Sequence, residues 1–156
     1  MEIQKFILDD FEDDEISIGL LRLAKQVPDF ELFFKINAIN NFCFSRIEDL
    51  KIVGEYYDYF FSVFEGYSVN SKSCFRFISN KSWKSIQKKE VTELFSNEHN
   101  IKLLLENNAD IDYIIRSSDK FADFSLILLP ENLTFSLQEI TITSDTELYQ
   151  TIQYYE

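Results

Sequence analysis

Bond-making chemistry has few footholds in this chain: among 156 residues there are one His, two Cys, three Gly and two Pro. Gly19, Gly54 and Gly66 stand isolated from one another, so no glycine-rich loop can wrap backbone N–H groups around a phosphate. That excludes the common nucleotide-binding loops. No Gly-x-Ser-x-Gly turn is present to expose a nucleophilic serine. The single histidine, His99, sits in the polar run Ser96-Asn97-Glu98-His99-Asn100 and reads as an exposed loop residue. Its neighbour Glu98 is too close in sequence to orient it as a general base. Cys43 and Cys74 lie thirty-one positions apart, with no C-x-x-C pair and no Cys/His cluster. A zinc site is therefore not expected, and the two thiols read as reduced and buried. No cofactor and no metal are expected from this residue set.

Long apolar runs are missing too, so no segment reaches membrane-spanning length. Met1-Glu2-Ile3-Gln4-Lys5 lacks the basic start and apolar stretch of a signal peptide. A cytoplasmic protein with no membrane contact is the expectation. Basic residues are outnumbered, fifteen Lys and Arg against twenty-seven Asp and Glu, for a formal charge of −12. Phosphate attraction needs a basic surface, so no direct nucleic-acid binding is expected. A protein partner, of basic character, fits the charge better, and self-association is left open.

What the chain has in quantity is aromatic mass: sixteen Phe, eight Tyr and one Trp. Each buried ring removes about 150–250 Å² from water, or roughly 4–6 kcal/mol gross before ordering costs. A core needs no metal or disulfide to form. No internal repeat and no Pro/Gly/Ser linker divides the sequence, so residues 1–156 read as one domain.

The order of patterns predicts an α+β fold with a mostly antiparallel sheet. Phe6 and Leu8, then Ile16, Ile18 and Leu20, alternate like a strand pair on either side of an acidic turn. A helix is expected over about 28–41. Pro28 suits its first turn, Asp29 and Glu31 suit the positive end of its dipole, and Leu32, Phe33, Ile36 and Ile39 form one apolar stripe. Strands are expected at Phe42–Ile47, Tyr56–Tyr67 and Ser73–Ser79, the last two joined by a hairpin with Asn70 as its turn residue. Five lysines fall between Lys72 and Lys89, and the part after Asn80 reads as an exposed loop with a short helix through Leu94 and Phe95. Ile101–Leu105 reads as a strand, Ile111–Arg116 as strand or short helix, and the apolar Leu126–Leu129 stops at Pro130. Thr134–Thr143 alternates as a strand, and Thr146–Tyr155 predicts a short C-terminal helix carrying Leu148, Ile152 and Tyr155.

Four segments, in order, resemble the IPExxxVDY family of small Bacteroidetes proteins. They are Phe6-Ile7-Leu8-Asp9-Asp10 with Ile16–Leu23, Asp29-Phe30 through Lys35-Ile36-Asn37, Phe61-Ser62-Val63-Phe64-Glu65 with Ser79-Asn80-Lys81-Ser82, and Leu105-Glu106-Asn107 with Ile111-Asp112-Tyr113 at the motif's own spacing. Glu106 and Asn107 replace the motif's Pro and Glu, so the Ile-Asp-Tyr half carries the likeness. The resemblance covers about residues 5–120. It implies a cytoplasmic α+β protein and brings no catalytic residues.

Two groups stand out as candidate sites. The block Asp9, Asp10, Glu12, Asp13, Asp14 and Glu15 places six carboxylates in seven positions. It reads as a solvated loop or as a docking loop for a basic partner; the spacing of an EF-hand is absent. The second group is a candidate interaction surface of Tyr56, Tyr57, Tyr59, Asp112, Tyr113 and Arg116. Tyr gives large contact area with a polar tip, and a strand turns alternate rings outward. A partly buried Asp112 needs a donor, for which Arg116 and Arg46 are the candidates. The expectation is a non-enzymatic interaction or adaptor module that binds a protein through an aromatic-rich sheet surface. The alternatives are an acidic regulator that occupies a basic nucleic-acid-binding groove, and a hydrolase built on Asp112 with a second carboxylate.

Overall fold

The structure, a computed structural model, describes residues 15–92, 98–119 and 121–154. The expected first strand with Phe6 and Leu8, the acidic residues Asp9 to Asp14, the expected helix through Leu94 and Phe95, and Tyr155 lie outside the described residues. The chain is an α+β protein built on a seven-stranded sheet. In order along the chain come β1 (Glu15–Leu21), α1 (Asp29–Ile39), β2 (Phe44–Val53), β3 (Tyr57–Ser68), β4 (Ser73–Ser79), β5 (Lys84–Gln87), β6 (Tyr113–Ser117), β7 (Gln138–Thr143) and α2 (Glu147–Tyr154). Across the sheet the order is β2-β3-β4-β6-β1-β7, with β5 paired to β3, and every pairing is antiparallel.

Both faces of the sheet are covered by a helix, because alternate residues of each central strand are apolar in both directions. On one face Leu32, Phe33 and Ile36 of α1 pack with Leu21, Phe44, Phe64, Phe75, Phe77, Tyr113 and Ile115. Phe33 stacks on Phe64 with ring centroids 3.8 Å apart and meets Phe77 and Tyr113 edge-on at 5.3 and 5.7 Å. On the other face Leu148 and Ile152 of α2 cover Ile18, Leu20, Phe61, Val63, Ile78, Ile114 and Ile142.

Asn70 lies in the β3–β4 turn as expected, and Lys72 takes the left-handed backbone conformation there, with φ 57°. Three local expectations are corrected. Ile101–Leu105 is no strand: it makes one bridge, Leu103 to Lys81, and beyond it Asn80 replaces a strand partner by accepting from the Leu104 and Leu105 N–H groups. The strand expected from Thr134 begins only at Gln138, because the Pro130 carbonyl accepts from both the Leu133 and Thr134 N–H groups and turns the chain there. Both cysteines are free, but Cys43 is exposed. It precedes β2 between two inward-facing phenylalanines, Phe42 and Phe44, so alternation turns it outward.

The lysine-rich segment also forms a strand where a loop was expected. Twelve-residue β3 outlasts seven-residue β4, and the edge left open at Tyr57–Phe60 takes β5. Val63 pairs Ile78 while Phe60 pairs Lys84, so Ser79 to Trp83 bulge out opposite Phe61 and Ser62 alone. This bulge puts Asn80 in the interior and Trp83 on the surface.

Candidate functional site

Phe60 shares a face with Phe64 but lies a turn of the pleat and more beyond the cover of α1, at the end of β3 where β5 pairs. Side chains from three strands gather around it. Lys51 of β2 and Lys84 of β5 are its register neighbours, and their ammonium groups stand 5.9 and 5.4 Å from the Phe60 ring centre. Lys84 also lies 5.8 Å from the ring of Trp83, and the Arg46 guanidinium covers the same ring at 5.0 Å. The result is a continuous row, Lys51–Phe60–Lys84–Trp83–Arg46, each step within cation–π range.

The row is held from below and from the side. The Trp83 indole N–H donates to Asp49 at 2.7 Å, and Asp49 pairs with Arg46 at 2.9 Å, so ring and guanidinium are fixed together. Asp49 reaches that position because β2 shifts register between Ile47 and Leu50. Asp58 lies between Lys51 at 3.8 Å and Lys88 at 3.1 Å. With its N–H committed and its ring still 55% exposed, Trp83 presents a fixed aromatic surface to solvent.

Beside this row opens a cleft of about 620 Å³, lined by Gln26, Lys81, Trp83, Lys84, Ser85 and Asp112 among others. Lys81 is exposed and pairs with no carboxylate among the described residues. Asp112 is half-buried and its partners are backbone and amide: it accepts from the Leu23 N–H at 2.7 Å and from the Gln26 amide at 3.4 Å. The expected arginine partners are engaged elsewhere, Arg46 with Asp49 and Arg116 with the Ile152 carbonyl and the Gln153 side chain. Asp112 is the one carboxylate among the described lining residues.

The expected tyrosine surface is taken apart by the fold. Tyr56, Tyr59 and Tyr113 are buried, and only Tyr57, Asp112 and Arg116 keep partial exposure. Tyr59 and Phe61 face α2, while Tyr113 lies under Phe33. Burial, foremost, raises the Tyr113 and Tyr59 hydroxyl pKa values above the ordinary tyrosine value, Asp29 adding to the first and Glu98 to the second. The six residues do not form one patch. Of the acidic docking loop, only Glu15 is among the described residues, exposed at the start of β1. Sequence reading missed Phe60 and Trp83 as a site because the segment around Phe60 contains no Lys or Arg. Its cations arrive from β2 and β5, and the signal available was the lysine cluster flanking the chain's one Trp. Comparison of the chain with protein-family models, with curated proteins and with solved structures finds no match.

Proposed function

We propose that this chain is a protein-interaction module that binds an acidic segment of a partner across the open sheet face around Phe60 and Trp83. The observation that carries this reading is the cation–aromatic row, an aromatic surface with three or more cations on a chain whose overall charge is −12. Fields from the distant carboxylates are screened beyond about 8–10 Å at physiological salt, so a docking segment senses the local charge. The expected basic partner follows the whole-chain charge; the local charge points to the opposite sign. Trp and Arg are the side chains most often found where binding energy concentrates, and here they are already locked together by Asp49. Preorganisation of this kind lowers the ordering cost of association. Cytoplasmic location and membership of the IPExxxVDY family belong to the same proposal, supported by the order of the four resembling segments.

The chain's one tryptophan sits in the proposed site, so its emission reports binding directly. Titration with a peptide of alternating glutamate and valine should shift Trp83 emission, and an alternating lysine–valine peptide should not. Lys84→Glu should remove the response, while Phe34→Ala, at a side chain 74% exposed on the outer side of α1, should leave it intact. A stronger response to the lysine peptide, or none to either, overturns the proposal.

A further inference from the structure

Among the described residues the outer edge of β5 pairs with no other strand. Its register with β3 pairs Gln87 with Tyr57 and Lys84 with Phe60, and the Lys88 N–H donates to the Tyr56 carbonyl at 2.7 Å. Hydrogen-bonded pairs alternate along an antiparallel ladder, so Lys84, Ile86 and Lys88 direct their backbone groups at β3. Ser85 and Gln87 must then direct theirs away from it. Among the described residues, the segment before β6 covers the start of that edge and then leaves it. Ser82 N–H donates to the Lys102 carbonyl at 2.9 Å and Lys81 bridges Leu103. Continued pairing would place Asn100 against Lys84 and His99 against Ser85. Instead the segment drops to the opposite face, where the His99 carbonyl takes the Tyr59 hydroxyl and Glu98 takes the N–H groups of the β2–β3 turn. Ser85, Asn100 and Ile101 are left as walls of the 620 Å³ cleft. Among the described residues no strand occupies this cleft, which has the place of the next strand on β5.

We infer that the partner's acidic segment docks in extended form as an added strand on β5, pairing with the backbone of Ser85 and Gln87. This rests on the reading of the face as a binder of acidic segments. Charge complementarity names the occupant: Lys81 and Lys84 flank the edge, and lysines on an edge disfavour pairing with another copy of the same strand. Alternate side chains of an added strand fall on the face of Lys84 and Trp83, where carboxylates meet the cation row. Backbone pairing supplies affinity independent of sequence, and the lysines select the acid.

Two changes remove the pairing without altering the charge. Ser85→Pro deletes the outward N–H and spares the ladder to β3, and N-methylation of alternate amides blocks the same bonds from the peptide's side. Either should weaken the glutamate–valine peptide about tenfold, the worth of one or two hydrogen bonds. Ser85→Ala should bind as wild type. In the labelled protein the Ser85 and Gln87 amides should become protected from exchange on binding. Should Ser85→Pro fold poorly, the N-methylated peptide against wild-type protein decides alone. Equal affinity of methylated and unmethylated peptides, with Lys84→Glu still abolishing binding, overturns strand addition and leaves the acidic-segment reading standing. No binding of any acidic peptide overturns both.

Discussion

Asn80 shows how much one interior amide can organise. It is fully buried, and its side-chain N–H groups donate to the Asn108 and Ile111 carbonyls, both at 3.0 Å, while its oxygen accepts from the Leu105 N–H at 2.8 Å. Three backbone groups of the excursion between β5 and β6 thus end on one residue. Asn80→Ala would leave the Ile111 carbonyl and the Leu105 N–H without their partner, at about 1–3 kcal/mol each, while the Asn108 carbonyl keeps the Ile111 N–H; a loss of roughly 2 kcal/mol or more is expected in urea unfolding. A loss under about 1 kcal/mol would mean that water replaces the amide. Glu98 plays a comparable part at the β2–β3 turn. Its carboxylate accepts from the Tyr56, Glu55 and Tyr57 N–H groups at 2.6, 2.5 and 3.2 Å, and these bonds, the Tyr56 one foremost, hold its pKa below the ordinary glutamate value. Gly54 is required beside it, since a Cβ there would come within 2.7 Å of the Tyr57 backbone carbonyl and 2.8 Å of the Glu98 oxygen. A depressed folded pKa means that the unfolded chain binds more protons as pH falls. The stabilisation from Glu98 is therefore complete above the unfolded carboxyl pKa of about 4.3 and is lost as pH drops through the folded value. Glu98→Gln should flatten the acid limb of a stability–pH curve; an unchanged limb would remove the clamp from the account.

At the scale of elements, α2 depends on what it covers. An eight-residue helix is marginal alone, and Leu148 and Ile152, both buried, tie it to the sheet while Arg116 holds the Ile152 carbonyl near its C-terminus. Ile152→Ala should cost about 2–5 kcal/mol in urea unfolding, and a cost under about 1 kcal/mol would show that the helix contributes little to the fold. The elements that could be read in advance share α2's property of a complete local pattern. α1 buries Leu32, Phe33 and Ile36 of its stripe within eleven residues while Ile39, at its last turn, stays exposed; β4 alternates within Ser73–Ser79, and β1 within Ile16–Leu20. Where the deciding partner is distant, the pattern misleads. Lys84–Gln87 has the composition of a loop and becomes a strand because β3 offers an open edge. Ile101–Leu105 has the composition of a strand and loses its ladder to the Asn80 side chain. The candidate site was hidden for the same reason, since Lys51, Phe60 and Lys84 come from three strands, Trp83 from the bulge before β5, and no window of sequence contains them together.

At the scale of the whole molecule, charge acts in two opposite senses. The formal charge of −12 makes the compact state repel itself, while the proposed docking face is locally basic. The nine ion pairs among described residues are all open to solvent at one partner or half-buried at both, Lys89–Glu55 being exposed on both sides, and pairs in contact with water contribute little each. Self-repulsion is the larger ionic-strength term for folding. Raising ionic strength from about 0.01 M to about 0.15 M shortens the screening length from about 30 Å to about 8 Å. Repulsion between carboxylates on opposite sides of the sheet then fades, and the midpoint of urea unfolding should rise. Over the same range the attraction between Lys81, Lys84 and an acidic peptide is screened, so the affinity read by Trp83 emission should fall. Folding and binding should thus answer salt with opposite signs in one sample. A denaturation midpoint that falls with salt would show that attractive pairs outweigh the net charge in holding the fold. An affinity that holds constant would place the docking energy in the aromatic rings and the strand edge, with the lysines serving only to choose the partner's sign.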